Sequence, residues 1–217
     1  MVHGKQKVQY CAKSSKALSF HPYRGLVETP LMSKELPIFP PEAESSPSEP
    51  TENFIYSRVF CQKENSPPLK LLVDFLSARG QTPILPSAVD EAALNEWAWV
   101  QIALSYHADR KPIHLFCVRD RGSYKDVFEQ EKARFTELLT LHDEIESHLA
   151  QEYVTRCRFI LTSRFLERDI TEEGYDFNGW ILEFYQEQCN GIVQIDHRGF
   201  YSPKGELIVD LSAAVEG

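Results

Sequence analysis

The chain writes nearly the same strand twice, "FIYSRVF" at residues 54–60 and "FILTSRF" at 159–165. Both copies are rich in β-branched and aromatic residues, which suit a pleated, half-buried surface. Each is followed by a helical pattern ending near a glycine and then by two further strand-like segments. Phe54, Ile55, Ser57 and Phe60 match Phe159, Ile160, Thr162 and Phe165 at a constant offset. "VQI" at 100–102 recurs at 193–195, and with that offset Lys111 falls on Lys204. One βαββ unit alone leaves a sheet face and an edge uncovered, so two units that complete each other are the expected solution. The predicted fold is α+β, mainly antiparallel, with duplicated βαββ halves at about 53–120 and 155–213 joined by a long helix over 123–153. A second parse reads 54–164 as a ferredoxin-like βαββαβ domain with a C-terminal αββ extension.

The local signals support these elements. In "SPPLKLLVDFLSARG", Leu69, Leu72, Val73 and Leu76 follow helical spacing, Ser66 is a candidate cap, Pro67 and Pro68 suit the first turn, and Gly80 supplies the stop. "EWAWVQIALSY" at 96–106 permits a helix beginning near Asp90 or a strand pairing with "PIHLFCV", and the strand is preferred. In 123–153, Ser123 and Asp126 resemble a capping box, Phe128, Phe135, Leu138, Leu139, Ile145 and Leu149 form an apolar stripe, and a break is expected near His142. "DFNGWILEFYQEQCNG" reads as a helix capped by Asp176 and stopped at Gly191, followed by two strands around the turn "HRGFYSPK".

Residues 1–50 differ from the rest. The stretch 33–52 holds five prolines with several Ser and Glu residues, the composition of a disordered linker. The first 25 residues carry five basic side chains and no acidic one, without the Arg content or amphipathic period of a transit peptide. Met32 is a second candidate start. The folded domain is therefore expected over 51–217.

Charge excludes more than it assigns. Residues 1–50 hold six of the 23 basic and five of the 32 acidic side chains, so the remainder carries a net charge near −10. Repulsion from phosphate makes nucleic acid and anionic membrane poor partners, whereas a cationic small molecule or a basic protein fits. No apolar run is long enough to span a bilayer and no secretory core follows the N-terminal lysines, which leads to a soluble, cytoplasmic expectation. Five widely spaced cysteines (11, 61, 117, 157, 189) show no zinc-site spacing and read as reduced, buried thiols.

Duplicated βαββ units resemble the architecture of bacterial effector-binding domains, and that likeness implies a ligand groove between the halves. On an extended 97–106 strand, Trp97, Trp99 and Gln101 would share one face, and the matching strand would add Gln194 and Asp196. These five are the candidate ligand-binding residues, an aromatic wall with a Gln101/Gln194 pair suited to a flat or cationic ligand. The competing reading packs both tryptophans into the core. His142, Glu146 and His148 lack metal-binding spacing and read as a solvated helix face. Cys189, Asp196 and His197 define no triad, and "ERDITEEGYD" at 167–176 reads as an acidic surface loop. No cofactor or metal is implied. The expectation is a non-enzymatic module binding a small ligand or a basic protein partner, in the manner of inhibitor or immunity proteins. The alternative is a hydrolase using the 167–176 carboxylates.

Overall fold

The structure, a computed structural model, describes residues 52–142 and 145–212. The expected N-terminal linker falls outside the described residues. In chain order the elements are β1 (Phe54–Cys61), α1 (Leu69–Ser77), α2 (Glu91–Asn95), β2 (Gln101–Leu104), β3 (Ile113–Arg119), α3 (Lys125–Thr140), α4 (Ile145–Arg156), β4 (Phe159–Leu166), α5 (Glu172–Cys189), β5 (Gly191–Ile195), β6 (Gly199–Tyr201) and β7 (Leu207–Asp210). The seven strands form one sheet in the order β2-β3-β4-β1-β5-β6-β7, antiparallel throughout.

The two copies of the repeated strand lie side by side at its centre. β1 and β4 pair over their full length, from Phe54 opposite Leu166 to Cys61 opposite Phe159. Strand alternation sends Val59, Cys61, Phe159, Leu161 and Phe165 to one face, where they pack with Leu72 and Leu76 of α1 and with Phe177, Ile181, Leu182 and Tyr185 of α5. The other face meets α3 and α4. There Phe60, Phe135 and Phe200 form a ring cluster, with Phe60–Phe135 centroids 5.2 Å apart and Phe135–Phe200 centroids 5.9 Å apart.

Strand order departs from two equivalent βαββ units. The hairpin after β1 joins the sheet through its second strand, β3, beside β4; the hairpin after β4 joins through its first strand, β5, beside β1. The two "VQI" segments therefore occupy different places, one entering the edge strand β2 and the other lying in the interior strand β5. A ferredoxin-like domain would set β1 against β3, but β4 holds that position. The physical reason is that β1 and β4 pair with each other, leaving each only one further edge.

Several local expectations are corrected. The 96–106 segment divides: Asp90 caps the short α2 by accepting from the Ala93 amide at 2.8 Å, and the strand covers only 101–104. Trp97 and Trp99 lie outside the ladder because Arg119 takes both carbonyls, donating to Trp97 O at 2.7 Å and Trp99 O at 2.9 Å. Ser66 does not cap α1; its hydroxyl donates to the Trp97 carbonyl and accepts from Arg119. Tyr124, not Ser123, precedes α3, and no side chain caps that helix. Thr171, rather than Asp176, caps α5, so residues 172–176 form its first turn instead of a loop. That helix stops at Asn190, whose φ of 49° takes the left-handed role expected of Gly191, and the segment read as a turn after β5 contains β6.

Gly199 opens β6 with a φ of +136°, and a Cβ there would lie 1.9 Å from the Val209 carbonyl oxygen of β7. Relief requires β7 to move away. Gly199→Ala is therefore expected to lower stability by roughly 3 kcal/mol. Urea unfolding measures this, and an unchanged midpoint would contradict the packing described.

Candidate functional site

Within the repeated strands lies a second repetition, the dipeptide Ser-Arg at 57–58 and at 163–164. Ser57 and Ser163 are direct partners across β1 and β4, and both are buried. The residues that follow them therefore leave on the opposite face, which puts Arg58 and Arg164 diagonally across the sheet centre on the α3 side. One dipeptide thus becomes two arginines with different surroundings.

Arg58 is 4% exposed and its charge is fully engaged. Its Nε donates to Glu131 of α3 at 3.1 Å, and its Nη1 donates to Gln194 at 2.9 Å and to Asp196 at 2.7 Å. The Gln194 amide nitrogen also donates to Asp196 at 3.2 Å, and the guanidinium carbon lies 5.0 Å from the centre of the Phe135 ring. A buried cation held by two carboxylates and an amide ties α3 to β1 and β5.

Arg164 has no such partners. Among the described residues it forms no ion pair; its guanidinium carbon lies 4.8 Å from the Phe54 ring centre and 5.5 Å from that of Phe116. Its Nε is buried without a hydrogen-bond partner. His114 faces it from β3 and Tyr56 from β1, and the Asp196 amide donates to the Tyr56 carbonyl. The His114 ring stacks on Phe116 at 6.4 Å, and its Nδ1 is likewise buried and unpartnered. Burial, then the Arg164 charge, lowers the pKa of His114 below the usual histidine value. This end of the face is open to solvent: Phe54 and Gln101 are exposed, and Tyr56, Ala103, His114 and Arg164 are partly so.

The candidates read from the sequence are separated by this fold. Gln101, Phe116, Thr162, Arg58 and Gln194 form one row across five strands, so the two glutamines share a face but stand far apart. Gln194 and Asp196 meet at Arg58. Trp99 is on the opposite side, in the core beneath α5, with its ring centre 6.4 Å from that of Tyr185. Trp97 is 42% exposed in the preceding loop, near the Arg119 and Arg121 guanidinium groups. Sequence reasoning missed Tyr56, Arg58, His114, Glu131 and Arg164. The signal for the arginines was present, since Ser-Arg recurs in both similar strands, one position out of step with the Phe-Ile match.

Other groupings do not converge. Cys189 lies in the core on the α5 side, away from Asp196. Glu146 and His148 are exposed on α4, and a shallow depression of about 250 Å³ there is lined by His148, Gln151, Glu152, Thr155 and Arg156. No three metal-ligating side chains gather among the described residues. No helix among them is long and apolar enough to cross a membrane.

No family model, curated protein or solved structure matches this chain. The residues must be interpreted from their own geometry.

Two outcomes follow. Trp99→Ala empties a core position and is expected to cost about 3–5 kcal/mol, whereas Trp97→Ala costs well under half of that, as urea unfolding would reveal. Similar losses for both would show that the loop ring also carries the fold. Burial pushes the Cys117 and Cys157 thiols up to about 12 and raises Cys61 well above its usual value. Above pH ~9 the unfolded chain releases these protons while the folded chain retains them. Stability conferred by the neutral thiols is thus complete below that pH and is lost as pH rises toward 12. The slope is about 1.4 kcal/mol per pH unit for each thiol, and Cys117→Ala should make it shallower. Equal unfolding midpoints at pH 8 and pH 10 would contradict this.

Proposed function

We propose that this chain is a non-enzymatic binding module that receives its ligand on the open end of the sheet, across β2, β3, β4 and β1. The observation carrying this reading is Arg164, partly buried between two aromatic rings with its Nε unpartnered, on a face that α3 and α4 leave open. Desolvating a polar group without giving it a partner costs free energy, and a site that does so gains on binding. Rigid aromatic rings beside a polar group are typical recognition chemistry. The buried thiols, held neutral, offer no accessible nucleophile, which favours recognition over covalent catalysis. Free thiols also suit a reducing compartment such as the cytoplasm.

The net charge of −9 favours a basic protein as a further partner elsewhere on the surface. Native mass spectrometry of the full chain purified from its own source tests the ligand reading. Ala103 stands on the open edge strand opposite His114, so Ala103→Trp fills the face without touching the core or adding charge. The wild type is expected to retain a small-molecule adduct that Ala103→Trp loses. An adduct equal in both, or absent from both, would overturn the proposal.

A further inference from the structure

The geometry points to a carboxylate as the chemical group that Arg164 receives, so that the ligand of the open face is a small monoanionic carboxylate beside a flat apolar body. This deepens the binding reading above and rests on it. Three features of the residues lead there.

The first is the shape of the donor. A guanidinium presents parallel N–H groups that match the two oxygens of a carboxylate, and rings on either side fix its plane. The rings of Phe54 and Phe116 hold that position here, at 4.8 and 5.5 Å from the guanidinium carbon. No described residue takes a hydrogen bond from its Nη groups, so the fork is available to a ligand.

The second is the local charge. Arg58 is already balanced by Glu131 and Asp196, and Glu131 also pairs with Arg134 at 3.4 Å, so this group, diagonal to Arg164 across β1 and β4, carries no net charge. Arg164 brings the local sum to +1. One negative charge from the ligand meets one uncommitted positive charge, whereas a phosphate dianion would leave one negative charge unbalanced. A cationic ligand, the class favoured by the whole-chain charge, would meet the free guanidinium directly.

The third is the surface beside the fork. Tyr56 and the exposed part of Phe54 stand beside Arg164 on β1, and on its other side the face runs over His114 to Ala103, which is too small to obstruct it. A planar ring bearing the carboxylate can lie against the β1 rings and add contact area that a bare ion lacks.

Benzoate is the probe. It would be titrated into the full-length protein and followed by the NMR resonance of the Arg164 Nε–H and by the amides of Tyr56 and His114. A saturable shift confined to these groups is expected. Benzyl alcohol, similar in shape but uncharged, should bind at least tenfold more weakly, as should benzoate to Arg164→Gln. Arg164→Lys, which keeps the charge but not the fork, should fall between the wild type and Arg164→Gln. Because replacing Arg164 could disturb the sheet, Phe54→Ala provides a second variant: it removes an exposed ring at the strand's start and should weaken benzoate at least threefold. No saturable shift, or equal affinity for benzoate and benzyl alcohol, would overturn the carboxylate assignment. If a native adduct is still lost in Ala103→Trp under that result, the binding face stands and only the ligand chemistry is wrong.

Discussion

Everything in this molecule is arranged around the pairing of β1 with β4. The pair forms the middle of the sheet, and both helical layers rest on it: α5 and α1 on the side of Val59 and Leu161, α3 and α4 on the side of Phe60. Each of the two strands has one edge left, and a hairpin takes it. The sheet therefore grows outward from a centre whose strands are written almost identically. The likeness reflects a common demand, because each strand must be apolar on both faces and tolerate a near-copy as its neighbour.

The buried charge at that centre is informative. An arginine buried in a sheet face is tolerable only with its donors satisfied. Arg58 meets this condition by drawing in Glu131 from α3, Gln194 from β5 and Asp196 just beyond it, thereby specifying how those elements dock. Arg164, its counterpart in the second dipeptide, lies toward the part of the face without helices. The same residue acts as a docking pin in one place and is an open donor in the other. The difference lies in where α3 and α4 end, not in the strands.

How much of this was legible in the sequence varied with the range of the interaction. The strands β1, β3 and β4 and the main helical segments were visible because their periodicity is local. Sheet order was not visible, since nothing in "FIYSRVF" announces that its partner is "FILTSRF" rather than a sequential neighbour. Trp99 illustrates the same limit: alternation along 97–106 placed it with Gln101, but Arg119, a residue from another strand, captures the Trp97 and Trp99 carbonyls and breaks the period. The site was hidden for a related reason. Gln194 and Asp196 were identifiable as polar groups on one face, yet their common partner Arg58 is 136 residues distant from Gln194 along the chain.

The placement of β1 between β4 and β5 governs the order in which the molecule can be made. β1 is the first of the described elements along the chain, yet its neighbours on both sides come from the last third, with Phe54 facing Leu166 and Cys61 facing Gly191. At roughly 5–20 residues per second, an apolar strand waits on the order of ten seconds for its first permanent partner. During that interval α1, the β2–β3 hairpin, α3 and α4 emerge before either of its strand partners. The topology thus keeps β1 without its strand partners through that interval, and a circular permutation that moves β1 behind β4 would shorten the wait.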